Sequence, residues 1–197
     1  YFGKLRSEGK SEDDITDMLS CMTQPAKKRA RTGRSAEELV ALTWQSSSVI
    51  KLRWDLNPGE IETLADHAIA LSKADMDRVA VAGTHGGPPP TWNNTLDILA
   101  SDEVRFDILC EICMFPQHVS PDKGVREAST KANKALSAYS VQAGARFDVY
   151  TAVKAFSDHQ ATQSRPLPTP ETQRFLDRTM RQFKRQGLHL AEGVRKQ

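Results

Sequence analysis

The sequence predicts an all-α protein built of long antiparallel helices. Three observations support this prediction. From residue 58 onward apolar side chains recur every three or four positions, prolines and glycines interrupt that pattern at a few points, and no segment alternates apolar and polar residues for long. The brief alternation of Leu52, Trp54 and Leu56 is too short for a convincing strand. Short connections between long helices favour antiparallel neighbours.

The first fifty residues differ from the rest of the chain because they show no sustained apolar pattern, and we predict that they are mostly disordered. An acidic cluster at 12–17 is followed by the basic segment PAKKRARTGR at 25–34. Such a segment is typical of a solvated tail, and a nuclear-import signal is the alternative. The stretch AEELVALTW at 36–44 allows one short helix. We therefore predict an N-terminal extension at 1–50 and a helical domain at 51–197.

The first long helix is predicted to begin at Asn57-Pro58-Gly59-Glu60, which supplies a cap residue, a first-turn proline and an acidic residue three positions after the cap. Its apolar stripe ends near Gly83. The following THGGPPP cannot extend the helix, because consecutive prolines lack N–H donors. The second helix is predicted to be capped by Thr91 or Asn93 and to stop before Pro116.

A third helix is predicted to be capped by Ser120-Pro121, and its apolar or small residues recur every three or four positions from Val125 to Phe156. Gly144 lies within this stripe and weakens a helix by about 1 kcal/mol relative to alanine. Because the stripe crosses Gly144 without a phase shift, we predict one long helix with at most a kink.

The fourth helix is predicted to begin at Thr169-Pro170, after a loop at 157–168, and to stop at Gly187. Its segment RQFKRQ is basic, but Phe183 falls on the apolar face, so a solvated helix face is favoured over a nucleic-acid contact. The sequon Asn93-Asn94-Thr95 is expected to be unmodified, because no secretion signal is visible.

The composition excludes several classes of protein. With 27 basic and 25 acidic side chains the net charge is +2, so no overall charge favours nucleic acid. No apolar run approaches the ~18 residues that a membrane-spanning helix needs, and three cysteines suit a reducing compartment. We expect a cytoplasmic protein and a monomer. Because the chain begins with Tyr1 and not with methionine, we also expect a fragment.

The strongest candidate for a chemical site is LCEICMFPQHVSP at 109–121, where Cys110 and Cys113 have C-x-x-C spacing and His118 follows. Structural zinc needs four ligands, and no second ligand pair lies at a fitting distance, since Cys21 is in the N-terminal segment. Both cysteines also lie near a helix C-terminus, where the helix dipole opposes the thiolate of redox chemistry. Buried cysteines that pack as small hydrophobic side chains are favoured, with zinc the first alternative and a redox pair the second.

No other chemical motif is present. The remaining histidines show no metal-ligand spacing with one another: His67, His85, His159 and His189. The sequence contains no H-E-x-x-H, phosphate-binding glycine loop, nucleophile elbow or kinase signature. We therefore assign no catalytic, cofactor-binding or metal-binding residue.

Several segments nevertheless form an ordered set of motifs. They are LRWDL at 52–56, NNTLDILASDEV at 93–104, FPQHVSP at 115–121, VREASTKANKALS at 125–137, RFDVY at 146–150 and RFLDRTMRQFKRQGLHL at 174–190. This set resembles the N-terminal helical region of the thimet oligopeptidase and neurolysin family of zinc metallopeptidases. The resemblance runs from about residue 52 to 190. It departs from the family at Cys110 and Cys113 and in the loop GTHGGPPP.

The resemblance implies a zinc endopeptidase that hydrolyses short peptides, with a helical body split by a deep channel too narrow for folded substrates. In that family two histidines of H-E-x-x-H and a later glutamate bind zinc, and the motif glutamate is the general base. These residues are missing here, so we expect zinc in the complete enzyme and none in this chain, which we expect to be inactive alone. Short peptides are the implied substrates, without a nucleic-acid or membrane partner. The alternative is a non-catalytic helical protein that binds peptides or a partner subunit.

Overall fold

The computed structural model describes residues 33–43, 53–82, 84, 86–162, 167 and 169–195. These residues form helices and turns without a strand, which confirms the predicted all-α class. The acidic cluster, Cys21 and most of the basic segment lie outside the described residues. Within the described ranges the helices are α1 Ala36–Thr43, α2 Pro58–Val81, α3 Leu96–Met114, α4 Pro116–Val119, α5 Lys123–Gly144, α6 Phe147–Thr162, α7 Pro170–Arg185 and α8 Glu192–Arg195.

The central helix is α2, which packs against α1, α3, α5 and α6. It begins as predicted, because the Asn57 side chain accepts a hydrogen bond from the Glu60 N–H and the Glu60 carboxylate accepts one from the Asn57 N–H. This capping box satisfies N–H groups that a helix start otherwise leaves unpaired. The helix ends at Val81, just before the predicted stop.

Contacts at both ends of neighbouring helices give their directions. Near the start of α2, the Ile61 carbonyl faces Cys113 at the end of α3, and farther along α2, Ser72 bonds Asp102 in the first half of α3. The two helices are therefore antiparallel, as predicted. The contacts of α5 advance in the same direction as α2, so these two helices are parallel: Lys131 with Glu62, and Tyr139 with Ser72.

Buried apolar side chains form two clusters. The first lies where α1, α5 and the C-terminal half of α3 meet the first half of α2, and it includes Leu39, Leu64 and Leu136. The second lies where α6, α7 and the start of α3 meet the end of α2, and it includes Val79 and Val153. Burying each such side chain contributes roughly 1.5–3 kcal/mol. The middle turns of α2 and α3 pass between the two clusters.

The prediction of one long third helix is wrong, because α5 ends at Gly144 and α6 begins at Phe147. The physical reason is that α5 packs on the first cluster through Leu136, whereas α6 packs on the second through Val149. The helix therefore breaks where the chain passes from one cluster to the other, while the apolar spacing continues. Arg146, at the break, is held by Asp77 of α2 and Asp148 of α6.

Two predicted caps are also wrong. Thr91 and Asn94 bond one another's backbone N–H groups a turn before α3, whose N-cap is Thr95 and neither Thr91 nor Asn93. The N-cap of α5 is Asp122, whose carboxylate accepts from two backbone N–H groups of the first turn, and not Ser120. In both cases the polar residue chosen from the sequence belongs to the turn that leads into the helix.

The predicted loop at 157–168 begins too early, because α6 continues to Thr162, whereas two other helix starts agree with the sequence. The short helix predicted at 36–44 is confirmed as α1, and α7 begins at Pro170 with a capping box formed by Thr169 and Thr172. The predicted domain boundary at residue 51 stays a prediction, although α1 lies before it and contributes Leu39 to the first cluster. Within the described ranges no helix combines the length and apolar character needed to cross a membrane.

Candidate functional site

The cysteine pair lies in the last two turns of α3. Cys113 is fully buried in the first cluster, where its Sγ lies 3.9 Å from the carbonyl oxygen of Ile61, and Cys110 is half-buried against the same cluster. His118 is exposed on α4, and its Nε2 contacts the side-chain amide of Gln117 at 3.1 Å. The prediction that the two cysteines pack as core side chains is confirmed.

Both thiols are held in their protonated form. Burial raises the pKa of Cys113 to about 12, and burial with the nearby charges of Asp107 and Glu111 raises the pKa of Cys110 to about 12. Because the thiolate is the form that attacks disulfides, both thiols are poor nucleophiles. Among the residues that the structure describes, no group of three His, Cys, Asp or Glu side chains is arranged to hold a metal ion.

A buried serine secures the backbone next to the cysteines. The hydroxyl of Ser129 on α5 donates to the carbonyl oxygen of Cys113 at 2.6 Å and lies 3.0 Å from that of Met114. It also accepts a hydrogen bond from the Gln117 N–H at 3.0 Å. Carbonyls at a helix end lack intrahelical partners. Ser129 therefore fixes the bend between α3 and α4. The role of the segment FPQHVSP that this contact indicates is a structural one.

A layer of polar side chains separates the two apolar clusters, and we call it the polar layer. It is formed by Ser72 and Asp75 of α2, Asp102 and Arg105 of α3, and Tyr139 of α5. Ser72 donates to Asp102 at 2.6 Å and accepts from the Tyr139 hydroxyl at 3.0 Å. The guanidinium of Arg105 bonds Asp102 at 2.8 Å and also bonds Asp75. The polar layer thus joins three helices.

The charges of the polar layer are mutually compensated. Burial raises the pKa of Asp102, against the opposing effects of the Ser72 hydrogen bond and the Arg105 charge. Burial alone would lower the pKa of Arg105, but its bonds to Asp75 and Asp102 outweigh that effect and raise it. The Ser72 hydroxyl donates to Asp102 and accepts from Tyr139, so both of its hydrogen-bonding functions are used within the layer.

A cleft of about 350 Å³ opens beside the polar layer, between α3, α5 and α7. Its walls combine aromatic and methionine side chains with carboxylates, amides and a hydroxyl; among them are Met76, Asp102, Phe106, Tyr139, Thr179 and Gln186. A volume of this size suits a small ligand or a single side chain. The sequence interpretation missed this cleft. One feature of the sequence could have indicated it: Ser72 and Asp102 occupy positions in the apolar stripes of α2 and α3.

The polar layer and the cleft share no residue with the motif that first suggested chemistry. The structure places Cys110 and Cys113 at the C-terminal end of α3, in and against the first cluster, and His118 on α4. His67, His159 and His189 are not brought together, and His85 lies outside the described residues. The basic side chains Arg181, Lys184 and Arg185 of α7 are exposed while Phe183 is buried, as predicted for a solvated helix face.

Comparison with known proteins gives an informative match. No protein-family model matches the chain. The chain is 31% identical over 136 residues to a protein of Arabidopsis thaliana described as "Probable thimet oligopeptidase". The aligned residues cover 69% of this chain and 18% of that protein, so the chain spans less than a fifth of the length of its relative.

Proposed function

We propose that this chain is the N-terminal helical part of a zinc metalloendopeptidase of the thimet oligopeptidase family, and that the complete enzyme hydrolyses short peptides. The observation that carries the proposal is the match of 136 residues at 31% identity to the plant protein. The ordered motifs between residues 52 and 190, and the all-helical structure in which they lie, support it.

In this proposal the chain contributes helices and not the hydrolytic zinc. The sequence lacks H-E-x-x-H. Cys110, Cys113 and His118 do not fit zinc, because Cys113 is buried in the first cluster while His118 lies exposed against Gln117, and no group of three ligands forms among the described residues. We propose that the zinc-binding residues and the general base belong to a segment outside these residues. The chain by itself is then inactive.

The same proposal extends to the cellular compartment, the oligomeric state and the partners of the enzyme. We propose that the complete protein is a cytoplasmic monomer whose partners are its peptide substrates, without nucleic acid or membrane. Residues 1–50 would precede the domain shared with the family, which occupies 51–197. The basic segment at 25–34 would be a solvated tail, with nuclear import as the alternative. Its last residue, Arg34, is bound to Glu60 and Asp55.

Sequencing the transcript past residue 197 tests the proposal. We expect the continuing reading frame to encode H-E-x-x-H and a later glutamate ligand. The longer protein should cleave a short internally quenched peptide, lose this activity with a chelator and regain it with zinc. Changing the motif glutamate to glutamine provides the control, since it removes the general base and keeps the metal ligands. A stop codon directly after Gln197 would contradict the proposal.

A second candidate function is that of a non-catalytic helical protein that binds peptides or a partner subunit. The observation that favours it is the cleft between α3, α5 and α7, which is lined by both apolar and polar groups. The transcript separates the two candidates. This alternative requires a protein without the zinc motif that still binds a peptide.

A further inference from the structure

We propose that the cleft between α3, α5 and α7 binds the arginine or lysine side chain of a peptide. The inference rests on the proposed function only in taking a peptide as the carrier of that side chain. The recognition itself is argued from the walls of the cleft, their charge and one buried hydroxyl.

The apolar part of the cleft fits the aliphatic stem of a basic side chain. Phe106 and Tyr139 form one wall, with ring centroids 5.5 Å apart, and Phe175 of α7 contributes another aromatic ring. Met76 of α2 lines the cleft as well. Arginine and lysine stems pack along apolar surfaces, and their cationic ends are attracted to aromatic faces. These walls therefore accommodate a long flexible side chain that ends in a cation.

The charged groups that line the cleft have one sign. Asp102, Glu103 and Asp107 line it, and no lysine, arginine or histidine does so among the described residues. Two of these carboxylates are compensated from outside the lining, Asp102 by Arg105 and Glu103 by Arg178 at 3.0 Å. Asp107 has no ion-pair partner in the described part of the chain. Asp107 is exposed, so a cationic ligand in the cleft can pair with its carboxylate.

A buried hydroxyl in the wall provides an independent sign of a ligand. Thr179 of α7 is 9% exposed and lines the cleft. Its hydroxyl makes no hydrogen bond with any residue that the structure describes, although Thr151 and Thr130 bond backbone carbonyls of their own helices. Buried polar groups in proteins are nearly always hydrogen-bonded. An N–H group placed in the cleft would satisfy this oxygen.

These features together favour guanidinium over ammonium. A guanidinium offers five N–H donors in a plane and remains charged when partly buried. It can therefore bond the Asp107 carboxylate, the Thr179 hydroxyl and the side-chain oxygens of Gln182 and Gln186, which also line the cleft. We expect arginine to bind more tightly than lysine. A neutral side chain of the same shape should bind poorly.

The test is a titration of the 197-residue chain with a capped tripeptide that has arginine between two alanines, observed through methyl NMR signals of Met76 and Ala143. Both residues line the cleft. The matched control is the same tripeptide with citrulline, which has the shape of arginine without its charge. We expect saturable shifts with the arginine peptide and at least about tenfold weaker binding of the citrulline peptide. Equal affinity for the two, or no saturable shift, would overturn the proposal.

Variants locate the binding. Asp107→Asn and Thr179→Val should each weaken the arginine peptide about fivefold or more, whereas Asp66→Asn, an exposed carboxylate on α2 away from the cleft, should leave the affinity unchanged. If Asp66→Asn lowers the affinity for the arginine peptide as much as Asp107→Asn does, the peptide is attracted by the net charge of the protein and not by the cleft, which would overturn the proposal. If butylguanidinium binds as tightly as the tripeptide, the peptide is not the carrier. If a variant fails to fold, the affinities of the unmodified chain for the arginine and citrulline peptides still test the proposal.

The results of the peptide titration can be distinguished from those of the test of the proposed function. A transcript without the zinc motif would contradict the enzyme and leave the binding result intact. A chain that binds neither tripeptide would overturn the inference for the cleft while an H-E-x-x-H downstream still supported the enzyme.

Discussion

Glu60 carries its charge inside the protein, and several contacts compensate for that burial. Its side chain is 1% exposed and bonds the Arg34 side chain through Nε at 2.7 Å and Nη2 at 2.9 Å. It also accepts from the backbone N–H groups of Arg34 and Asn57. The hydrogen bonds of the Arg34 side chain, opposed by burial, lower the pKa of Glu60 to about 2. Glu60 therefore links the residues that lead into α1 to the start of α2.

The first prediction concerns acid stability. Because the pKa of Glu60 is about 2 in the folded protein, against an ordinary glutamate value of 4.5, its charge stabilises the fold above pH 4.5, and this contribution is lost as the pH falls from 4.5 to 2. Glu60→Gln should lower the free energy of unfolding by about 3 kcal/mol at neutral pH. The difference from the unmodified chain should shrink between pH 4.5 and 2 in urea titrations.

The control for Glu60 is Glu62→Gln, which removes an exposed ion pair with Lys131. Exposed pairs contribute about 0.2–1 kcal/mol. A loss for Glu60→Gln no larger than that for Glu62→Gln would contradict the assignment.

The second prediction concerns the reactivity of Cys113. In a chain whose other cysteines are replaced by Cys21→Ala and Cys110→Ala, the Cys113 thiol should react with Ellman's reagent only as fast as the protein unfolds. The reason is its complete burial and its pKa of about 12. Denaturant should restore rapid reaction. Fast modification of the native protein would show that the thiol is accessible and would reopen the chemical interpretation of the C-x-x-C segment.

At the scale of helices, one hydroxyl fixes the junction of α3 and α4. Ser129 is fully buried and bonds backbone groups of Cys113, Met114 and Gln117. We predict that Ser129→Ala lowers the free energy of unfolding by about 2 kcal/mol, because it leaves buried backbone groups without partners. Ser137→Ala on the exposed side of α5 should change it by less than about 0.5 kcal/mol. Equal effects in thermal unfolding would contradict this role.

The end of α7 gives a further prediction. Gly187 has φ +77°, and the N–H groups of Gly187 and Leu188 bond the carbonyl oxygens of Lys184 and Phe183, as in a Schellman motif. Gly187→Ala should cost about 1–2 kcal/mol in urea unfolding, because alanine disfavours positive φ. A neutral effect would contradict this geometry.

Gly144 is the matched control for Gly187. A Cβ at Gly144 would meet only the far end of the flexible Gln186 side chain, at 2.6 Å, and Gly144 has no positive φ. Gly144→Ala should therefore change stability by less than about 1 kcal/mol. A cost as large as that of Gly187→Ala would show that the end of α5 is conformationally restricted.

Helix boundaries were predictable where their cause is local. Asn57, Thr169 and Gly187 each act on backbone groups within about four residues, so the sequence around them contains the whole cause. The break after Gly144 has a distant cause, namely the different clusters that α5 and α6 contact. The spacing of apolar residues does not indicate which cluster a helix face packs against. The sequence therefore predicted the stripe correctly and the number of helices wrongly.

At the scale of the whole molecule, the polar layer and the cleft could not be predicted from spacing. Ser72, Asp102 and Tyr139 are separated by about thirty residues or more along the chain and meet only after α2, α3 and α5 pack. One signal was present, since Ser72 and Asp102 interrupt apolar stripes at positions that face the interior. Such interruptions mark places where buried polar groups must find one another.

The two clusters and the polar layer account for how the described helices pack. The first cluster holds the cysteines, the second holds α6 and α7, and the cleft opens beside the layer that separates them. This arrangement agrees with the proposal that the chain contributes structure to a peptidase whose zinc is bound elsewhere.

Zinc content of the purified 197-residue chain, measured by mass spectrometry after incubation with zinc and gel filtration, tests the central claim most directly. We expect gel filtration to remove the metal, because Cys113 is buried, Cys110 is half-buried, and no group of three possible ligands forms among the described residues. One tightly held zinc per chain that is lost in Cys110→Ala or Cys113→Ala would contradict the claim.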